Sequence, residues 1–175
     1  MFEMEKQFAV DYLMAAGLGK AHIDALRRIG YFEAPASKGH HLACEGGLVK
    51  HSIHVVENLR ALDVFEDDKS ACLVGMLHDL VKCKCYAKDG DGYKWVQPPY
   101  PGHGVASVMM AGELGIALTS EEMAAITWHM GAFGLGEKEL KAYGAAARRF
   151  PAIILTHAAD HLASVEEDKG EVRGE

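Results

Sequence analysis

The sequence predicts a mostly α-helical fold, a helical bundle with at most one short β-hairpin at about residues 85–96. Apolar side chains recur at spacings of three and four through most of the chain, which is the period of a helix that buries one face. Strand-like residues flank one Asp- and Gly-rich turn, Asp89-Gly90-Asp91-Gly92, as they do in a hairpin. The length of 175 residues is typical of one domain with its own core.

The N-terminal part of the chain has the features of scaffold helices rather than of a site. Apolar spacing predicts helices over 5–16 and 22–29, and each is followed by a glycine, as is common at helix ends. The segment 32–41 mixes helix breakers with polar residues, so we expect a loop there.

A helix that starts at Leu48 provides the first candidate site residue. Leu48, His51 and Val55 follow one another at spacings of three and four, so His51 belongs to the buried stripe of this helix. His54 lies among polar neighbours, and we expect it to face outward. We therefore favour His51 as the functional histidine of this pair.

The next helix ends in a pair of ionisable residues. Residues 71–77 are apolar on every side, which predicts a helix buried all round, with Asp67 or Asp68 capping its start. His78-Asp79 follows directly. Burying two such groups is costly unless something binds them, so the pair is a second candidate.

Two more histidines occupy defined positions after the hairpin. A Pro-rich loop over 98–102 places His103 just before a helix over about 105–114. A capping box that starts at Thr119 opens another helix, which ends at His129. Both histidines thus lie at predicted helix ends.

The last two helices bring in a carboxylate. Apolar spacing predicts a helix over 137–149, and Pro151 opens a final helix that contains Asp160. His157 and His161 lie within one helical turn of Asp160. They either orient its carboxylate through hydrogen bonds or form a local metal site with it, and we favour the first reading.

The candidate residues are informative as a set. Ten histidines are many for a chain of 175 residues, although each one alone is more often an ordinary core or surface residue. A divalent transition metal explains the set, because imidazole and carboxylate ligands suit Mn, Fe, Co, Ni or Zn. A cation also offsets the cost of burying acids. The candidate metal ligands are His51, His78, Asp79, His103, His129 and Asp160.

These segments resemble the HD superfamily. Its signature is a helical His, a later His-Asp doublet and a downstream Asp, which meet on one metal in an α-helical fold. Two further segments are similar to the extra histidines of subfamilies with a second metal. The matching segments are Gly46-Gly47-Leu48-Val49-Lys50-His51-Ser52, Gly75-Met76-Leu77-His78-Asp79-Leu80-Val81-Lys82, Pro101-Gly102-His103-Gly104, Trp128-His129-Met130-Gly131 and Ala159-Asp160.

The resemblance also implies how the chain is organised. We expect a single HD-type domain over 1–175, with N-terminal helices and a loop over 1–45 and the HD core over 46–163. A charged tail follows over 164–175, and we expect it to be frayed from Glu166.

The chain departs from the family pattern at two points. Val81 stands where the family usually has Gly, and a single His129 stands where some relatives have two histidines in tandem. The sequence also lacks the Gly-Tyr-Pro motif of the cyclic-dinucleotide phosphodiesterases, so that activity is not carried over.

The resemblance implies a metal-dependent phosphohydrolase that acts on a small phosphorylated substrate such as a nucleotide. One or two divalent ions are expected. His51, His78, Asp79 and Asp160 would hold the first, and Asp79 would bridge it to a second ion held by His103 and His129. Asp79 and Lys82 are the candidate catalytic residues.

Two alternatives remain open at this point. HD-type diiron oxygenases have similar ligand sets and use O₂, and a non-catalytic module would use the metal for stability or ligand sensing. The sequence does not name the substrate, the metal or the oligomeric state, nor does it separate monoester from diester cleavage.

Composition excludes other classes of function. The net charge of -7 and the lack of a dense Lys/Arg run argue against a long nucleic acid as partner. No apolar stretch is long enough for a membrane span. The acids Glu3 and Glu5 stand where a signal peptide carries bases, so we expect a cytoplasmic location, with the four cysteines reduced.

Overall fold

A computed structural model describes residues 2–39 and 42–172, and it confirms the predicted mostly α-helical fold with one short hairpin. A 3₁₀ helix, Leu80–Lys84, leads into the hairpin, whose antiparallel strands pair Tyr86 with Trp95. In chain order the elements are α1 Phe2–Ala15, α2 Lys20–Arg28, α3 Gly47–Ala61, α4 Asp68–Leu77, β1 Tyr86–Asp89, β2 Gly92–Trp95, α5 His103–Glu113, α6 Ser120–Trp128, α7 Glu137–Arg149 and α8 Ala152–Val172.

Local sequence signals account for the starts of two helices. Of the two predicted caps of α4, Asp67 is the one used, since its side chain accepts a hydrogen bond from the Ser70 backbone N–H at 2.7 Å. The predicted capping box of α6 is present, because Thr119 and Glu122 each accept the other's backbone N–H. The Ser70 hydroxyl also donates to Glu122 at 2.8 Å, which ties the starts of α4 and α6 together.

The hydrophobic core lies around α3 and α4, with α1, α6 and α8 packed against them. The stripe of α3 is buried at Leu48, Val55 and Leu59, and α4 is buried on every side over 71–77. Each large apolar side chain that is removed from water contributes roughly 1.5–3 kcal/mol. This core holds the helix ends that carry the polar candidate residues.

A glycine lets α3 and α4 approach each other closely. A Cβ at Gly75 would lie 2.5 Å from Cγ2 of Val56 and 2.9 Å from its Cα, so only glycine fits there without a shift. The close approach brings His78, three residues after Gly75, next to His51, and their ring centroids lie 5.3 Å apart.

A second glycine, Gly104, lets α5 and α6 approach each other closely. Its replacement tests how much this close approach contributes to stability. A Cβ at Gly104 would lie 2.3 Å from the Thr127 carbonyl oxygen and 2.4 Å from that of Ile126. Replacing Gly104 by Ala therefore forces the two helices apart, and we expect the free energy of unfolding to fall by roughly 1–3 kcal/mol. Chemical denaturation measures this loss.

The matched control is Gly112→Ala in the same helix, where a Cβ meets nothing within 4 Å. Alanine is the better helix former, so this variant should gain roughly 0.5–1 kcal/mol of stability. Equal changes in the two variants would contradict the role we give to the close contact at Gly104.

Several predicted helix boundaries differ from the structure, most by one to three residues, and two of the differences lie near the candidate site or in the C-terminal tail. Helix α5 begins at His103 itself rather than after it. Helix α8 continues to Val172, so the prediction of a frayed tail from Glu166 is wrong for the described residues. The reason is that Glu167 is buried, with 6% of its surface exposed, against histidines of α3. His40 and His41 of the predicted loop, and 173–175 of the tail, lie outside the described residues.

The described helices are shorter or more polar than a membrane span requires. None of those within residues 2–39 and 42–172 is both long and apolar enough to cross a bilayer. The longest, α8, has 21 residues, but acidic residues interrupt its C-terminal half.

Candidate metal centre

The structure brings the six predicted ligands together at the ends and inner faces of five helices. His51 comes from the buried stripe of α3, His78 and Asp79 from the end of α4, and His103 from the start of α5. His129 ends α6, and Asp160 lies on α8. In the described part of the chain, a buried cluster of His and Asp side chains capable of holding a metal ion therefore exists.

Asp79 lies at the centre of the cluster, and its two carboxylate oxygens face different histidines. Oδ2 lies 3.3 Å from Nε2 of His78 and 3.8 Å from Nε2 of His51. Oδ1 lies 3.4 Å from Nε2 of His129 and makes a short contact with Nε2 of His103. Asp79 thus separates the histidines into two pairs, one on each oxygen.

Backbone carbonyls fix the orientation of two of these rings. Nδ1 of His78 lies 2.9 Å from the Gly75 carbonyl oxygen, and Nδ1 of His129 lies 2.7 Å from that of Ile126. Because a carbonyl only accepts, Nδ1 must carry the proton in each ring, and the neutral imidazole then presents the lone pair of Nε2. Both Nε2 atoms point into the cluster.

These two Nε2 atoms also provide the test of whether a metal fits. Both are buried, and within the described residues neither makes a hydrogen bond, although each lies near an Asp79 oxygen. A buried nitrogen without a hydrogen bond is costly, and a divalent cation would satisfy it. The donor set of imidazole nitrogens and carboxylate oxygens suits a transition metal.

The ligand atoms form two overlapping groups that share His78. In one group the atoms of His51, His78 and Asp160 all lie within 4.8 Å of one another, and in the other those of His78, Asp79 and His129 do. His103 is in neither group, but it contacts Asp79 directly. This arrangement is compatible with either one or two ions.

The surroundings keep both carboxylates ionised. Burial opposes the charge of Asp79, yet Lys82, His78 and His103 hold its pKa well below the ordinary value. Burial also opposes the charge of Asp160, but its hydrogen bond with His51 lowers its pKa. Two ionised carboxylates at the centre of a buried site attract a cation.

The same surroundings shift the pKa values of His78 and His51 in opposite directions. Burial lowers the pKa of His78 and keeps it neutral, as a metal ligand must be. Burial acts against the charged form of His51 as well, but hydrogen bonds to Asp160 and Glu167 raise its pKa to about 9. His51 is therefore protonated at neutral pH when no metal is bound, and a metal that binds its Nε2 must displace the proton there.

Lys82 lies in the short 3₁₀ helix directly after the His-Asp pair. Its ammonium is 2.6 Å from Oδ2 of Asp79, and 15% of the side chain is exposed. Burial disfavours the ammonium, but the Asp79 carboxylate raises the pKa of Lys82 above its usual value. A charged lysine therefore lies at the edge of the cluster, where an anionic ligand can reach it.

A cleft of about 790 Å³ opens over the cluster, a volume typical of small-molecule sites. Its floor includes His51, Asp79 and Asp160. One side of its rim is apolar, and Phe133 there has 85% of its surface exposed. Residues that line the cleft but were not predicted as site residues are Tyr86, Met130, Ala132, Phe133 and Ser164.

The predicted role of His157 and His161 is not what the structure shows. Nδ1 of His157 donates to the His129 carbonyl oxygen at 2.7 Å, and no hydrogen bond joins either ring to Asp160 in the described part of the chain. The two rings stack with centroids 6.4 Å apart and belong to neither group of ligand atoms. Helical spacing put them near Asp160, but their side chains turn toward the cleft wall and the end of α6.

Comparisons with known proteins identify no relative of this chain. No protein-family model matches the chain, and neither a curated protein nor a solved structure matches it.

Proposed function

We propose that this chain is an HD-type metal-dependent phosphohydrolase, which hydrolyses a phosphate ester of a nucleotide or a related small phosphorylated metabolite. The observation that carries the proposal is the position of Asp79. Its carboxylate lies between two pairs of histidines on the floor of a cleft large enough for such a substrate. The reaction class, hydrolysis of a phosphate ester, is inferred from the resemblance of five sequence segments to the HD superfamily.

The cluster offers ligands for one or two divalent ions. His51, His78, Asp79 and Asp160 would hold the first, and His103 and His129, together with Asp79, would hold a second. Such ions supply Lewis acidity toward a phosphoryl oxygen and make a water molecule acidic near neutral pH. Their identity among Mn, Fe, Co, Ni and Zn is left to the experiment.

The protein's own residues bind and orient the substrate in this proposal. The Lys82 ammonium lies at the cleft edge and binds a phosphoryl oxygen, where it offsets the negative charge that grows as the ester bond breaks. Asp79 holds Lys82 in place at 2.6 Å, so the cation needs little reorganisation when the substrate arrives. The apolar rim at Met130 and Phe133 contacts the part of the substrate that carries no charge.

Phosphate release tests the proposal. The protein is stripped with a chelator, reloaded with Mn²⁺, Fe²⁺, Co²⁺, Ni²⁺ or Zn²⁺, and incubated with nucleoside mono-, di- and triphosphates, sugar phosphates and a phosphodiester. We expect release of phosphate, or of an alcohol from the diester, that depends on added metal and stops with chelator. No turnover with any metal and any substrate class would overturn the proposal.

One other outcome is read from the same samples. An iron-loaded protein that consumes O₂ with an organic substrate and releases no phosphate would assign the site to the diiron oxygenases instead. Oxygen uptake is therefore measured beside phosphate release.

A further inference from the structure

A buried carboxylate lies behind His51, on the side away from the cleft. Glu167 has 6% of its surface exposed, and its two oxygens lie 3.2 and 3.1 Å from Nδ1 of His51. One of these oxygens is also 2.7 Å from Nδ1 of His54. A buried charge of this kind is rare without a function or a close partner, and neither the metal ligands nor the cleft lining includes it.

The geometry follows from the spacing of two helices. Asp160 and Glu167 are seven residues apart in α8, which is two helical turns, so both lie on the face toward α3. His51 and His54 are three residues apart in α3 and face α8 in turn. The ring of His51 lies between the two carboxylates, with Nε2 at 3.0 Å from Oδ1 of Asp160 and Nδ1 at the Glu167 oxygens.

This contact fixes the ring of His51 as the backbone carbonyls fix two others. A carboxylate only accepts, so Nδ1 of His51 carries a proton toward Glu167. Nε2 donates to Asp160 in the same way, and it is the nitrogen that faces the cluster and becomes free to bind a metal when its proton is lost. His78 and His129 have the same arrangement, but their acceptors are the neutral carbonyls of Gly75 and Ile126. The acceptor for His51 is an ionised side chain, which makes the stronger hydrogen bond and increases the basicity of the imidazole.

We infer that Glu167 is a positioning residue that holds His51 in the tautomer and orientation for binding a divalent metal ion, while His54 anchors Glu167 from the solvent side. The inference rests on the metal centre of the proposed function. It adds a residue in a segment whose sequence indicates only a charged tail.

A cobalt titration tests this role without any substrate. Co²⁺ is added to the chelator-treated full chain, and the visible d–d absorption reports the dissociation constant. Glu167→Ala should raise that constant by about 10- to 100-fold, the range typical when the hydrogen-bond partner of a ligating histidine is lost. Glu167→Gln keeps an oxygen that accepts from Nδ1 of His51, so its loss should be smaller than that of Glu167→Ala.

The control is His54→Ala, which removes one outer partner of Glu167 and leaves the contact with His51. We expect its cobalt affinity to stay within about threefold of the wild type, since the inner hydrogen bond is kept. The melting temperature of each variant without metal is recorded as well, because a merely structural role would lower that temperature and leave the cobalt affinity unchanged.

The outcomes separate this inference from the proposed function. Unchanged cobalt affinity in folded Glu167→Ala overturns the inference, and so does a loss in His54→Ala as large as that in Glu167→Ala. If Glu167→Ala does not fold, Glu167→Gln decides: a neutral amide accepts a weaker hydrogen bond than a carboxylate, so this variant should bind cobalt at least about threefold more weakly than the wild type, and an unchanged dissociation constant overturns the inference. A wild type that binds cobalt but releases no phosphate overturns the proposed hydrolase and leaves the role of Glu167 intact.

Discussion

Replacing Asp79 by Asn is expected to lower metal-dependent phosphate release by at least about 10³-fold, which corresponds to roughly 4 kcal/mol of lost transition-state stabilisation. The two oxygens of Asp79 face the four histidines of the centre, and one of these oxygens also pairs with Lys82. An amide has the same shape but no negative charge and one fewer acceptor oxygen. The variant therefore loses the metal and the fixed position of the lysine together.

The measurement is the initial rate of phosphate release with the best substrate and metal of the wild type. Asp91→Asn makes the same chemical change in the exposed hairpin turn and should retain full activity. Circular dichroism of both variants shows whether each is folded. Near-wild-type turnover in folded Asp79→Asn would contradict the claim that the Asp79 carboxylate is needed for metal binding and phosphate release.

Replacing His103 by Ala is expected to remove one of two bound ions and to leave the other. His103 contacts only the Oδ1 side of Asp79, whereas His51 and His78 lie on the Oδ2 side. Its side chain is 26% exposed, so the truncation opens the cleft without leaving a large void in the core. The metal content should fall from about two ions per chain to about one.

Elemental mass spectrometry of the reloaded and desalted protein measures this change. His161→Ala is the control, because His161 also lines the cleft but belongs to neither group of ligand atoms. Its metal content should equal that of the wild type. Loss of both ions in folded His103→Ala, or a loss in His161→Ala, would contradict the division of the site into two sides.

Much of the fold was predictable because short-range signals decide it. The capping box at Thr119, the cap at Asp67 and the Asp-Gly turn of the hairpin each act within a few residues, and each appears where the sequence predicts it. The predicted helix over 137–149 has the same bounds as α7. Such signals are local and need no knowledge of the tertiary structure.

The six candidate ligands could be chosen from the sequence because each places an ionisable group at a helix end or within an otherwise apolar helical stretch. His51 shows the principle, since its position on the stripe of α3 predicted its burial. His54 shows where prediction from neighbouring residues fails. Polar neighbours predicted an outward position, yet 32% of its side chain is exposed and it binds Glu167.

Glu167 itself could not be predicted because its burial depends on how α8 packs against α3. The surrounding segment is rich in charge, which is typical of a solvated helix end, and no nearby residue marks one glutamate as different. The one available signal was its spacing of seven residues from Asp160, and that signal has meaning only if the helix continues. The role of Phe133 at the cleft rim likewise depends on tertiary structure.

The metal content of the wild-type chain, purified without chelator and measured by elemental mass spectrometry, tests the central claim most directly. We expect about two equivalents of a divalent transition metal per chain, with near none in Asp79→Asn. A wild-type chain that holds no metal, even after reloading with each of the five candidate ions, would contradict the assignment of the buried His and Asp side chains to a metal centre.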